Sequence, residues 1–363
     1  MNITIIAGAR PNFMKIAPII HDILKQQKLG VNINYRLVHT GQHYDKNLSD
    51  TFFEELNIPQ PHINLEVKSG TQAEQTGAIM TAFEKELEKH PTDLVLVVGD
   101  VTSTMACTIV AKKANIKVAH VEAGIRSGDM KMPEEINRMV TDSITDYFYT
   151  TSTLAGKNLS DAGIENNRIF FVGNVMIDTL LSNLNRLQQP DFWNDLQLQE
   201  KDYFVLTLHR PSNVDAERQL KELITTIVNN CNGKPIIFPV HPRTKKLLEG
   251  LDLNFDNLHF VNPQGYLSFI YLVKHAKAVL TDSGGITEEA TVLNVPCITF
   301  RDSTERPETC TLGTNVLVGS DINKINDAFK TLHSEKWQQT QIPELWDGKA
   351  SERIISSILD LHA

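Results

Sequence analysis

Residues 280–309, LTDSGGITEEATVLNVPCITFRDSTERPET, gather groups that bind anions and hydroxyls. Gly284 and Gly285 stand between an apolar run and a helical pattern, just after Ser283. A helix starting there presents unpaired N–H groups and about half a positive charge, and glycines let a phosphate approach the backbone. Glu289 lies about one helical turn further in, placed to accept both hydroxyls of a ribose. Arg306 follows, and Arg10 and Lys15 stand near the chain start. Guanidinium forks match phosphate oxygens in pairs, so these three cations suit a diphosphate clamp. Glycines at this place also serve helix–strand packing, so the motif alone leaves both readings open. The absence of G-x-x-x-x-G-K-[ST] argues against a P-loop triphosphatase, and the absence of G-x-G-x-x-G after a strand argues against a tightly held NAD.

The elements that must position these groups are legible from periodicity. ITIIAG, NYRLVHT, LVLVVGD, KVAHVEAG and IFFVGN read as strands. Between them PNFMKIAPIIHDILKQQ keeps Ile16, Ile19, Ile20 and Leu24 on one helical face. The strand runs are near-continuous hydrophobics, as in strands covered on both faces. LQQPDFWNDLQLQEKD, after about residue 188, is polar and proline-marked and reads as a linker. The alternation then restarts with YFVLTLHR, PIIFPVHP, LHFVNP, AVLTDSGG, VPCITFRD and NVLVG. This pattern predicts an α/β chain of two Rossmann-like, doubly wound domains, residues 1–188 and 189–345, with a tail over 346–363.

In such sheets ligands bind beyond the carboxyl ends of the strands. Those ends carry GARPNFMK, HTGQH, GDVTST, HVEAGIRSGD, TLHRPSN, PVHPRT and TDSGG. Asp100 or Thr102, and Asp282 or Ser283, each read equally well as helix caps. Taken together, so many polar ends point instead to one cleft between two facing domains.

Composition narrows the class. The formal net charge of −9 argues against nonspecific binding of nucleic acid or an anionic membrane, while a local basic pocket can still hold an anion. MNITIIAGARPN lacks the basic start and the long apolar run of a signal peptide, and no segment approaches the roughly 20 apolar residues of a membrane span. Cys107, Cys231, Cys297 and Cys310 lack metal-type spacing, so reduced thiols in a cytoplasmic protein are expected, with no metal.

RPNFMKIAP, TGQHYD, VVGDVTST, HVEAGIRSGD, MPEEINR, VGNVMID, TLHRPSNVD, PVHPRT, PQGYLSFIYL, LTDSGGITEEA and FRDSTERPE occur in the order seen in non-hydrolysing UDP-N-acetylglucosamine 2-epimerases. The resemblance runs from about residue 3 to about 320. It implies two Rossmann-like domains in the GT-B arrangement, a C-terminal helix returning to the first domain, and a homodimer. It also implies interconversion of UDP-N-acetylglucosamine and UDP-N-acetylmannosamine for bacterial surface polysaccharides, without a cofactor. By the same resemblance Gln264 and Phe269 form the uridine pocket, and Glu289 holds the ribose. Ser283, Gly284, Gly285, Arg10, Lys15 and Arg306 meet the diphosphate. Asp100, Glu122, Glu134 and His209 resemble the catalytic set. On residue type alone, Glu134 or Glu135 reads as a solvated first-turn acid, His209 as a satisfied strand-end histidine, and Phe269 as core.

The chemistry of the residue types agrees. No carbonyl acidifies the proton on a carbon bearing an acetamido group, and this chain has no fingerprint for a nicotinamide that would oxidise the sugar. Elimination of UDP across C1 and C2 to a 2-acetamidoglucal, followed by re-addition, needs carboxylates near C2 and cations for the departing diphosphate. It also needs water kept from C1. A hydrolysing epimerase shares most of these motifs, although PEEINR favours the non-hydrolysing branch, and a GT-B glycosyltransferase also binds UDP-sugars. Relatives acting on other UDP-2-acetamido sugars share the uridine pocket, so the sugar itself stays open.

The resemblance further implies a second UDP-N-acetylglucosamine as activator, beside Gln42, His43, Glu134, Arg210 and His241. Here Asp45 stands where a glutamine is common, HRPSN replaces HRREN, and Lys68 takes the place of an expected arginine. Lysine does not reproduce a bidentate guanidinium contact and Asp45 repels a diphosphate, so weak activation is expected.

Overall fold

The computed structural model describes residues 1–41, 53–68, 70–210, 217–240, 248, 250, 253–338 and 340–362. The chain divides into two compact units, Met1–Ser182 with Glu344–Ala363, and Asn183–Pro343. Both are doubly wound α/β units around an all-parallel sheet.

The first unit runs β1 (Asn2–Ala7), α1 (Arg10–Lys28), β2 (Asn34–His39), β3 (Ile63–Asn64), α2 (Gln72–Lys89), β4 (Leu94–Val98), α3 (Thr102–Lys113) and β5 (Lys117–Val121). It continues through α4 (Pro133–Ile144), β6 (Tyr147–Thr150), α5 (Thr153–Asp161), β7 (Ile169–Phe171) and α6 (Val175–Asn183). Its sheet order is β3-β2-β1-β4-β5-β6-β7. All five residues of β4 are buried, which is why it reads as a continuous apolar run. The C-terminal helix Ala350–Asp360 belongs to this unit and buries Ile354, Ile355 and Ile358. Asp178 of α6 accepts from the first amides of that helix, Ala350 at 3.0 Å and Ser351 at 2.7 Å, and so acts as its cap from a distant element.

The second unit runs α7 (Phe192–Asp195), β8 (Phe204–Thr207), α8 (Glu217–Asn230), β9 (Ile236–Pro239), β10 (Leu258–Val261) and α9 (Tyr266–His275). It continues through β11 (Ala278–Thr281), α10 (Gly284–Val292), β12 (Cys297–Thr299), α11 (Pro307–Thr311), β13 (Asn315–Leu317) and α12 (Ile322–His333). The sheet order is β10-β9-β8-β11-β12-β13. Phe204, Leu206, Ile224, Phe238, Leu280 and Phe329 head its core.

Two readings of the sequence change. The segment expected to be a linker is docked on the second unit, because Trp193 is buried edge-on against Tyr203 at 5.4 Å. The first unit ends at Ser182, ahead of the boundary expected at 188, and the chain rejoins it from Glu344. Among the described residues no helix is long and apolar enough to cross a membrane.

In each sheet the strand order reverses at one place, between β1 and β4 and between β8 and β11. Ligand sites of doubly wound folds form beyond the carboxyl ends of the strands at such switch points.

Candidate functional site

At the first switch point the loop after β1 is held by Asn12. Its Oδ1 accepts from the Gly8 and Ala9 amides, both at 3.0 Å, while its Nδ2 donates to the Val98 carbonyl at 3.2 Å. The ends of β1 and β4 are thereby tied. About one turn into α1, Lys15 donates to Oε2 of Glu122. Glu122 is buried and sits at φ +69°, a left-handed backbone that costs a non-glycine residue about 1–2 kcal/mol. The Tyr149 carbonyl accepts from the amides of Glu122 and Ala123, at 3.0 and 3.1 Å, and holds that turn. Gly99 closes the other side, since a Cβ there would stand 3.0 Å from Lys15 Nζ.

Asp100 comes next, its Oδ2 accepting from Arg138 Nε at 3.0 Å and its carbonyl from Asn137 at 2.8 Å. Arg138 also pairs with Glu135, whose oxygens gather the amides of Ser127 at 2.9 Å and Gly128 at 3.1 Å. Burial pushes the Glu135 pKa up, but these backbone bonds and the Arg138 charge outweigh it and hold the carboxyl below its usual range. Glu134, its neighbour, is half-buried in the first turn of α4 and makes no side-chain hydrogen bond among the described residues. Behind the turn His120 is fully buried, with Nε2 at 2.8 Å from the Gly99 carbonyl and Nδ1 at 2.8 Å from Asp142. Burial opposes ionisation of Asp142, yet His120 and then Arg126 outweigh it and lower its pKa.

The second switch point is built in the same way. Thr207 of β8 lies opposite Thr281 of β11, with their hydroxyls 2.6 Å apart. Just beyond, Asp282 is fully buried and accepts from the His209 amide at 3.0 Å and the Arg210 amide at 2.9 Å, and its Oδ1 stands 2.7 Å from His209 Nδ1 as an ion pair. Ser283 is the N-cap of α10 but no side chain caps that helix, and a Cβ at Gly285 would meet nothing within 4 Å. Arg301, buried, donates to Glu305 at 2.8 Å and directs Nη1 toward Gly284. Glu289, also buried, accepts from the Tyr266 hydroxyl at 3.0 Å. Gln264 donates to the Asn262 carbonyl at 2.7 Å, and Phe269 is half-buried against the core.

The capping readings of Asp100 and Asp282 give way here. α3 has Val101 as its N-cap and neither helix has a side-chain cap, because Asp100 is held by Arg138 and Asp282 by His209. Arg306 is buried and paired with Glu288, and Arg210 lies 3.8 Å from Glu305. The Arg10 side chain lies outside what the structure describes, as do Gln42, His43, Asp45 and His241. Among the described residues no cluster of His, Cys, Asp or Glu is arranged to hold a metal.

The sequence profile described as UDP-N-acetylglucosamine 2-epimerase matches residues 25–359. The chain belongs to the UDP-N-acetylglucosamine 2-epimerase family. It is 44% identical to the UDP-N-acetylglucosamine 2-epimerase of Methanocaldococcus jannaschii, covering 98% of each chain. It is 38% identical to the UDP-2,3-diacetamido-2,3-dideoxy-D-glucuronate 2-epimerase of Pseudomonas aeruginosa, covering 99% of this chain and 100% of that one. The crystal structure of the M. jannaschii enzyme in complex with UDP-GlcNAc and UDP superposes with a TM-score of 0.89 at 43% identity, over 99% of this chain and 100% of that one. The fold is therefore GT-B-like, and the chain is an epimerase by family.

Three residues of this epimerase fold that the sequence did not single out, Asn12, His120 and Tyr266, hold groups that it did, as does Asp282, which the sequence marked only as a cap. The burial of Glu289 carries a measurable consequence. Burial, partly offset by the Tyr266 hydrogen bond and reinforced by the Glu288 charge, pushes the Glu289 carboxyl up to about 8. A folded value above the 4.5 of a free carboxyl means that the native state keeps a proton the unfolded chain releases. Stability from this group is full at acid pH and is lost as pH rises through about 8. Thermal melting across this window should show the ligand-free parent losing stability relative to Glu289→Gln as pH rises. A parent that gains stability relative to that variant would refute the assignment.

Proposed function

We propose that this chain catalyses reversible inversion at C2 of UDP-N-acetylglucosamine, giving UDP-N-acetylmannosamine, without releasing either fragment to water. The observation that carries the reading is the pair of switch points. One presents a lysine-paired buried carboxylate with a second carboxylate on an arginine; the other presents a glycine helix start beside a buried glutamate.

In the forward step a carboxylate takes the C2 proton, the C1–C2 double bond forms, and the C1–O bond breaks with its electron pair leaving on UDP. In the return step a proton reaches the opposite face of C2 and the UDP oxygen re-forms its bond to C1. The sugar is neither oxidised nor reduced overall. Glu122 and Asp100 handle these protons, with Glu134 supporting, and His209 completes the catalytic set. Ser283, Gly284, Gly285, Arg10, Lys15 and Arg306 hold the diphosphate, Glu289 the ribose, and Gln264 and Phe269 the uracil. The same reading carries a homodimer, a cytoplasmic enzyme of polysaccharide precursor synthesis, and weak activation by a second UDP-N-acetylglucosamine near Arg210, Gln42, His43 and His241.

Proton NMR in D2O tests the chemistry. Deuterium is expected at C2 of both epimers while UDP stays attached at equilibrium. Full retention of the original proton would sink the elimination route, and accumulation of UDP with free sugar would place the chain with hydrolysing enzymes. The Pseudomonas relative favours one second reading, a diacetamido-uronate nucleotide as substrate. Higher kcat/KM on that nucleotide than on UDP-N-acetylglucosamine would establish it.

A further inference from the structure

The pairing of Thr207 with Thr281 brings His209, two residues past β8, beside the first residue past β11. That residue is Asp282, with no exposed surface, whereas the His209 side chain is 63% exposed. Among the described residues two backbone amides donate to the Asp282 oxygens, at 3.0 and 2.9 Å, and the ring Nδ1 stands 2.7 Å from Oδ1 as an ion-pair partner. The Asp282 oxygens face the two backbone N–H groups as acceptors, and a ring nitrogen at 2.7 Å from such an oxygen is matched to it by an Nδ1–H. Nε2 then carries the ring's acceptor lone pair, and it makes no hydrogen bond among the described residues.

We propose that Asp282 is the positioning residue of His209, fixing the imidazole as its Nδ1–H form and presenting Nε2 to the sugar nucleotide as an acceptor. This rests on the reading of His209 as a member of the catalytic set. Second-sphere carboxylates fix histidine tautomers at metal sites in the same way, where losing them typically costs about 10–100-fold. Asp282 also precedes Ser283 and Gly284 directly, so one buried carboxylate sets both the histidine and the backbone entering the α10 helix start.

Asp282→Asn keeps the shape and reverses the tautomer. The asparagine carbonyl has to serve the two backbone amides, which turns its NH2 toward Nδ1 and requires Nε2–H on the ring. The expected result is a fall in kcat of about 10–100-fold with UDP affinity retained. Long-range ¹H–¹⁵N spectra of ¹⁵N-histidine protein, assigned with His209→Asn, should show Nδ1–H in the parent and Nε2–H in the variant. In the His209→Asn background, Asp282→Asn should cost much less than it does in the parent. A parent ring protonated on Nε2 alone, an unchanged kcat in Asp282→Asn, or an equal further loss in the double variant would each overturn the proposal. If Asp282→Asn does not fold, the parent spectrum decides alone. If His209→Asn keeps full activity, the reading of His209 fails and the proposal with it. If His209→Asn loses activity and Asp282→Asn does not, only the proposal falls.

Discussion

Replacing Glu122 by glutamine is expected to lower kcat by about 10²–10⁴-fold, the range for a positioned acid or base. Glutamine keeps the size of the side chain but cannot take up a proton. Of the first-unit carboxylates, Glu122 is the better placed for this work. Asp100 already accepts from Arg138 at 3.0 Å, and its side chain is 34% exposed. Glu122 is buried, paired with Lys15, and held on a left-handed backbone that two hydrogen bonds to Tyr149 sustain. Strain kept in place by its surroundings is characteristic of functional positions. The measurement is deuterium entry at C2, which should slow by the same factor as epimerisation. If Glu122→Gln exchanges deuterium at the parent's rate, the base is elsewhere, and Asp100 is the next to replace.

The strands were legible because buried parallel strands read as unbroken apolar runs, and all six strands of the second unit fall on the runs marked for them. β6, Tyr147–Thr150, escaped notice. It follows α4 within a few residues, with neither glycine nor proline between, and only the short run Tyr147, Phe148, Tyr149 marks it. The docked segment around Trp193 was misread for the opposite reason, since its polar composition conceals one large buried ring.

At the site, residue type revealed the groups but not their partners. Asp282 lies 73 residues from His209, Tyr266 lies 23 from Glu289, and Asn12 lies 86 from Val98. Such pairs follow from strand order, and no local spacing encodes them. The same holds for Arg306, which looks free in the sequence and is paired with Glu288 in the fold. The backbone of Glu122 is equally hidden, because a glutamate at positive φ has no signature in its letter.

Gly124→Ala should be among the most destabilising single substitutions in the first unit. Gly124 sits at φ +78°, where any other residue pays about 1–2 kcal/mol. A Cβ there would overlap the Ala155 carbonyl oxygen and stand 2.9 Å from Leu159 Cγ. Neither neighbour can yield easily. Both belong to α5, and that helix is tied back by Asn158, which donates to the Gly124 carbonyl at 2.9 Å, while Asp142 accepts from the Gly124 amide at 3.1 Å. Overpacking of this kind adds about 1–3 kcal/mol, so a total of about 2–5 kcal/mol is expected. That is a large part of the roughly 5–15 kcal/mol that keeps a protein folded. Gly163→Ala supplies the contrast, since Gly163 has φ +87° but nothing within 4 Å of a Cβ, leaving the backbone cost alone. Denaturant unfolding of both variants therefore separates the steric part from the conformational part. Because Glu122 lies two residues before Gly124, the folded fraction of Gly124→Ala should also lose kcat, whereas Gly163→Ala should not. Equal stability of the two variants would mean that α5 does not press on this turn.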